Sequence, residues 1–542
     1  MSKSDLSHIV TQMKTQATTT LGWDVVVNYN EEELNDLLAI AYHDSEDPKT
    51  SIKEFKCSLI ATNEEGDDYT IRYKFLFGVP LLKFIATYTK PVCSLIIPIL
   101  GGTAETDKSS QTIGDGVYSL SLNNLELASA QGGESCLVPT PADKPFVFPP
   151  AIEADGVVFI NFAASKDLYI DIAFTGPDKC PKGSQDPGCV GRASFIDNHM
   201  GNLKDKIRYI FTKEYTNIRY ELARVSSKRP VNGIQLVPKS FMFATYTPNE
   251  TPTDEKDTIL TLFIQTRDTN YGMQSGLNLS WNHLWTQTLD CPPIPSGKTA
   301  SIILDKGMVF TTMIEPAMKE QNYSCQINDT KGYVQLQVFT GEKVNEPEDK
   351  TERWIGPLKS IFTQTIRHNP IYVVLSPLLL VIEQSDSNNG SCCRGTWTYE
   401  YTFNWSTHTD RYNDMPEKNR HGTVTVENTL NKAFPAIGLA DDYTMKIRFL
   451  IEKDDWNVET KPHDPTFWDE LGGGVKETPR WVKNMNVHIP AIDFNMGSLD
   501  FFLTTNLLLP SREVIDIDKN LGVQVPNDFF IIGNVKKIRK RS

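Results

Sequence analysis

The residues able to do chemistry are scattered along this chain of 542 residues, and none forms a complete local constellation. Ser296-Gly297-Lys298-Thr299 ends like a phosphate-cradling loop, but the first glycine of that motif falls on Pro292, and the strand follows the loop instead of preceding it. Gly133-Glu134-Ser135-Cys136-Leu137 lacks the last glycine of a serine-nucleophile elbow. His408 and Asp410 share one face at a strand end, as a general base and its orienting carboxylate would, yet no nucleophile or third ligand is local. The nine cysteines (57, 93, 136, 180, 189, 291, 325, 392 and 393) show no CxxC and no zinc spacing. Mostly reduced thiols are expected, with Cys180 and Cys189 bracketing a Pro/Gly-rich loop that an oxidising environment could bridge. Catalytic residues, metal sites and cofactors are therefore expected to be none.

The other chemistry on offer is the solvation of apolar molecules. Trp397, Tyr399, Tyr401, Phe403 and Trp405 alternate with polar residues and so share one strand face. Tyr73, Phe75 and Phe77 do the same on an earlier strand, and Leu34, Leu37 and Leu38 form a helical stripe. Leu34, Leu37, Leu38, Tyr73, Phe75, Phe77, Trp397, Tyr399, Tyr401 and Phe403 are the candidate lining of an apolar groove. Each methylene removed from water contributes about 0.8 kcal/mol, so such a groove can hold a long chain with no polar motif. The alternative is that these side chains simply fill a core.

The elements that must position them are mostly strands. Period-two alternation recurs at Ile71–Phe77, Val334–Val338, Thr396–Trp405 and Met445–Ile451, as expected for a large antiparallel sheet with one wet face. Polar stretches such as Thr103–Gln111, Asp178–Gly191, Pro248–Lys256 and Asn457–Thr478 read as loops. Helices are few. One follows the strand Trp23–Val27, with Asn30 as N-cap, Glu33 three residues on and a stripe through Leu34, Leu37, Leu38 and Ala41. A second follows Thr299–Leu304, with Asp305 as cap, Phe310, Met313, Ile314 and Ala317 as stripe, and Pro316 bending or ending it. The shared order of short strand, cap and amphipathic helix suggests two copies of one architecture. The expected division is a flexible tail over 1–20, modules over 21–290 and 291–535, and a basic tail over 536–542.

The net charge of −14 argues against a bulk nucleic-acid binder, since phosphate backbones demand a basic footprint and the only basic run is Lys536–Arg541. No apolar run reaches the length of a membrane-spanning helix. The polar start lacks the apolar region of a Sec-type signal peptide, so a cytoplasmic location or release by another route is expected.

Three ordered stretches resemble a known family. They are Gly22-Trp23-Asp24-Val25-Val26-Val27 with its helix and the later Phe77–Leu82 and Ile97–Gly102; Leu236–Phe241, Leu260–Thr266 and Ile294–Leu304; and Thr505–Pro510 with Val525–Gly533. Together they resemble the OrfX family and its forty-seven-kilodalton clostridial relative, accessory proteins encoded beside botulinum neurotoxin genes. The resemblance implies a β-rich α+β fold of the tubular lipid-binding (TULIP) type, in which a highly curved antiparallel sheet wraps a long helix, here in two modules. It implies binding of lipid or another hydrophobic ligand, or of proteins from the same gene cluster, with a toxin-accessory role, and no catalytic residues. The alternative is an interaction scaffold with no bound ligand.

Overall fold

The computed structural model describes residues 5–15, 19–44, 51–85, 90–132, 139–150, 152–175, 193–229, 236–247, 258–266, 289 and 291–320, backbone strands between 324 and 498, and 499, 502–508 and 515–535. The chain divides into two compact units, Met1–Val309 with Ser498–Ser542, and Phe310–Gly497. The expected boundary near Cys291 falls inside the first unit, and the basic tail lies outside the described residues.

The first unit holds two sheets whose paired strands are antiparallel. One is sealed. Its longer strands are β1 (Val25–Asn30), then, in the chain's later course, Ser240–Tyr246, Ile259–Gln265, Ala300–Leu304 and Phe529–Val535. β1 pairs with Ile259–Gln265 on one side and Ala300–Leu304 on the other, and Phe529–Val535 pairs with Ala300–Leu304. Nearly every residue of these strands is buried, on both faces. Their near-continuous apolar runs suit that position, because neither face meets water. Asn28 stands opposite both Thr261 and Ser301, accepting from the Thr261 hydroxyl at 2.8 Å and donating to Ser301 Oγ at 3.1 Å. Three buried polar side chains thus satisfy one another across three strands.

The two strand–helix units meet in this sheet. β1 is followed by α2 (Glu31–Asp44), capped by Asn30 Oδ1, which accepts from the Glu33 N–H at 3.0 Å. Ala300–Leu304 is followed by a helical run capped by Asp305 Oδ1, which accepts from the Met308 N–H at 2.7 Å. Because the two strands pair antiparallel, the two helices leave from opposite ends of the pair. The Asn30 N–H donates to the Thr299 carbonyl at 3.1 Å. Pro316 does not end the second helix. The run passes through a π-helical stretch, Val309–Ile314, and continues as Glu315–Glu320. A change of hydrogen-bond register is one way to absorb the missing proline N–H.

The second sheet of this unit alternates along its early strands and is buried on both faces at Asp155–Asn161 and Glu221–Ser226. It contains β2 (Glu54–Thr62), β3 (Asp68–Phe77), β4 (Leu81–Ile85), β5 (Val92–Glu105), β6 (Ser110–Ile113) and β7 (Tyr118–Gln131), then Asp155–Asn161, Tyr169–Phe174 and Glu221–Ser226. β2 reads as strict alternation of exposed and buried residues. The strands bend at bulges. On β7 the buried parity runs Tyr118, Leu120, Leu122, then Leu125 and Leu127, switching at Asn124, whose φ is 61°. An extra residue there keeps the apolar side chains on one face while the strand turns. β3 and β4 pair with successive parts of the same β5, and Asp155–Asn161 and Tyr169–Phe174 with successive parts of β7. The fold is thus β-rich with a curled antiparallel sheet, as expected. Thr103–Gln111, expected as a loop, is a hairpin instead: β5 runs to Glu105, and the turn closes by Thr106 N–H to the Ser109 carbonyl at 2.8 Å.

Within the segment expected as a flexible tail lies α1 (Leu6–Thr15), which buries Ile9, Val10 and Met13. Thr19 then ties to the C-terminal segment: its N–H and hydroxyl donate to Asp528 at 2.6 and 2.8 Å.

The second unit is described by its backbone. Its longest strands, Ser391–Thr409 and Lys418–Phe434, form an antiparallel pair that sets Trp397 opposite Leu430, Tyr399 opposite Asn428, Tyr401 opposite Val426 and Phe403 opposite Val424.

Candidate hydrophobic ligand site

The inner face of the curled sheet is built from alternate residues. β2 supplies Phe55, Cys57, Leu59 and Ala61, and β3 supplies Ile71, Tyr73, Phe75 and Phe77, all buried. Phe55 stands directly opposite Phe75, and Cys57 opposite Tyr73. The rings stack: Phe55 to Phe75 at 6.1 Å, Phe55 to Phe77 at 5.9 Å and Tyr73 to Phe75 at 5.9 Å between centroids. Such offset stacks are favoured by the ring quadrupoles beyond their area burial.

A helical segment absent from the sequence expectations covers this face. It comprises α3 (Ser194–Asn198), α4 (Met200–Tyr209) and a π-helical turn, Ile210–Glu214. From α4 onward its buried residues, Leu203, Ile207, Ile210 and Phe211, follow an i, i+4, i+7, i+8 spacing, so the signal for it is present in the sequence. Phe211 stacks on Phe55 at 5.9 Å and meets Phe162 at 5.2 Å, and the Tyr215 ring lies edge-on to Phe55 at 6.1 Å.

The polar atoms at this site are turned outward or tied to backbone. Tyr73 Oη donates to the Phe195 carbonyl at 2.7 Å, and Tyr118 Oη accepts from the Ala193 N–H at 2.7 Å. Burial raises the Tyr73 phenol above its ordinary pKa and pushes the Cys57 thiol up to about 12. For Cys57 the nearby Glu214 adds to the rise and Lys206 opposes it. Both groups are neutral at pH 7, and the inner residues of β2 and β3 present an uncharged face.

The candidate lining residues fall into three places. Tyr73, Phe75 and Phe77 lie together on the face just described. Leu34, Leu37 and Leu38 are buried on α2, which packs against β4 and β1. There Asn35 bonds the Leu82 carbonyl and N–H at 2.9 and 2.6 Å, and Tyr42 Oη donates to the Phe77 carbonyl at 2.6 Å. α2 is thus linked to β3 through the backbone of Phe77. Trp397, Tyr399, Tyr401 and Phe403 lie on Ser391–Thr409 in the second unit, and their side chains are outside the described residues.

The catalytic fragments resolve into structure. Lys298 sits in a turn, its N–H donating to the Pro295 carbonyl at 3.0 Å, and its Nζ meets Asp518 at 2.5 Å. His408 lies near the end of a strand, and Asp410 is outside the described residues. Cys57 and Cys93 are free thiols and Cys291 is buried, while Cys180 and Cys189 lie outside the described residues. Among the described residues no group of three His, Cys, Asp or Glu could hold a metal ion. Nor is any helix among them long and apolar enough to cross a membrane.

No protein-family profile matches the chain, and no curated protein matches it. Among solved structures it is similar to P47 from Clostridium botulinum A2 at 12% identity, covering 95% of this chain and 98% of that one with a TM-score of 0.43. P47 of Clostridium botulinum E1 matches at 11% identity over 95% and 100%, with a TM-score of 0.43. A lipopolysaccharide binding protein matches at 9% identity over 96% and 100%, with a TM-score of 0.25.

Proposed function

We propose that the first unit binds a lipid or other long aliphatic molecule between the inner face of the curled sheet and the helical segment Ser194–Glu214, without catalysis. The observation that carries this is the uncharged aromatic ladder Phe55–Tyr73–Phe75–Phe77, on a curled sheet covered by a helical segment whose Phe211 and Tyr215 rings pack on Phe55. A ligand there gains by burial alone, and affinity scales with chain length instead of headgroup. Native mass spectrometry and solvent extraction of the purified protein test this. Retained lipid, or uptake of palmitate from liposomes, is expected; a clean ligand-free mass with no uptake sinks the reading.

A second reading, as a protein-interaction subunit, is favoured by the outer face of the same sheet. Leu76 and Leu100 are 41% and 47% exposed there, and the Leu100 side chain and Pro98 flank Gly78. The toxin-accessory role implied by the resemblance belongs to this reading. A pull-down against products of neighbouring genes is expected to recover a partner whose capture is lost in Leu76→Ser/Leu100→Ser.

A further inference from the structure

The helical segment over the aromatic ladder is held in two different ways along its length. Its first half is latched by polar contacts to the sheet and the β6 hairpin. Ala193 N–H donates to Tyr118 Oη at 2.7 Å, Phe195 N–H to Gln111 Oε1 at 3.1 Å, and Tyr73 Oη to the Phe195 carbonyl at 2.7 Å. His199 Nε2 meets Tyr69 Oη at 3.1 Å, and Lys204 Nζ meets Asp171 at 2.8 Å. The chain is anchored again at Tyr220, whose carbonyl accepts from the Ile160 N–H at 3.1 Å and whose hydroxyl accepts from the Ile52 N–H at 3.1 Å. Along Asp205–Thr216 the polar contacts turn inward on the span itself, while Arg219, beside the second anchor, lies over the Phe159 ring of the sheet at 5.3 Å. Arg208 pairs with Asp205 at 2.9 Å, Thr212 Oγ1 donates to the Arg208 carbonyl at 2.9 Å, and Lys206 lies over the Tyr209 ring at 5.1 Å. What joins Asp205–Thr216 to the sheet is apolar: Ile207, Ile210 and Phe211, with the Tyr215 ring. The span also contains the π-helical turn, a geometry less regular than the α-helix and common at functional positions.

We propose that Asp205–Thr216 is a strap that lifts away from β2 to admit an aliphatic chain, moving between fixed ends at Lys204 and Tyr220. This rests on the ligand-binding reading and adds the entry route. Strap and sheet are joined by apolar packing, so opening bares hydrocarbon and aromatic surface that an incoming aliphatic chain covers again. Three buried apolar side chains are matched by on the order of ten chain methylenes. The strap therefore sets a length threshold: palmitate is admitted and butyrate is not.

Two native thiols report on the motion. Cys57 lies on the inner face of β2, within electrostatic reach of Lys206 and Glu214 of the strap. Cys93, fully buried on β5 and within reach of Glu31 of α2, serves as the internal control. The full-length protein is pulsed with N-ethylmaleimide and labelling is mapped by peptide mass. Cys57 is expected to label at least tenfold faster than Cys93. Phe211→Ala is expected to raise the Cys57 rate about another tenfold with Cys93 unchanged, and palmitate, but not butyrate, to lower the Cys57 rate at least twofold. Equal rates for the two thiols, or a joint rise in Phe211→Ala, overturns the strap. Hydrogen exchange on the unmutated protein is a second test: amides of Asp205–Tyr215 are expected to exchange faster than those of Ser194–Lys204, and uniform exchange overturns it. Failure of the strap is thus read from thiols and amides. Failure of ligand binding is read separately, from absence of retained palmitate whatever the labelling.

Discussion

The sealed and the curled sheets of the first unit solve opposite problems with similar strands. The sealed sheet buries both faces of β1 and its neighbours and is assembled from segments as far apart as Val25–Asn30 and Phe529–Val535. The curled sheet is assembled mainly from consecutive strands, leaves one face of β2, β3 and β4 wet and bends at bulges. Burial on both faces makes the first a structural knot between the chain ends. One wet face and a covering helix make the second the place where an interior can open. On the proposed reading, stability and function are divided between them.

The sharpest way to break this division is to remove the last strand. Truncation after Asp528, or Phe530→Asp, strips or charges a fully buried position of the sealed sheet and is expected to abolish the folded first unit. Soluble yield and far-ultraviolet circular dichroism check it; a folded truncation would show that the sheet does not hold the chain ends together. Next in size, Phe75→Ala in the curled sheet is expected to cost about 3–5 kcal/mol in urea unfolding, while Leu76→Ser, one residue on but outward, shifts it by no more than about 0.5 kcal/mol. Similar costs for the two would contradict the one-faced character of β3. Asn28→Ala leaves buried Thr261 and Ser301 without their shared partner, and about 1–3 kcal/mol is expected to be lost.

The smallest effect tests the edge of the knot. Lys298, together with local backbone N–H groups, holds the Asp518 carboxyl below its ordinary pKa. The folded value is the depressed one, so the contribution is present above the unfolded carboxylate pKa and fades as pH falls through the folded value. Asp518→Asn is expected to cost about 1 kcal/mol or less at pH 7, with the gap to the unmutated protein closing in acid. A gap that stays constant from pH 7 to pH 3 would assign the loss to packing.

Much of this is readable from residue order. Asn30 and Asp305 cap helices, as their side chains and positions suggest, because capping is decided within four residues. The strands bearing Tyr73–Phe77 and Trp397–Phe403 follow from period-two alternation, which reflects only the pleat. The helix over the ladder is harder to see although Leu203, Ile207, Ile210 and Phe211 have helical spacing; Gly201 and the charged residues between them dilute a short stripe. The hairpin at Thr103–Gln111 is hidden for a related reason, since an exposed pair of strands with polar side chains looks like a loop.

Local patterning was enough to establish a β-rich chain with few helices, the caps of two of them, and an inward aromatic face on β3. These depend on neighbours in sequence, where pleat, helical turn and capping geometry act. Only tertiary contacts decided that β1 and Ala300–Leu304 pair, that the C-terminal strand completes the same sheet, and that Phe211 lies on Phe55. Those partners are between about 150 and 280 residues apart, and which of many equally apolar segments pack together depends on shape and loop closure, not on the pattern of any one segment.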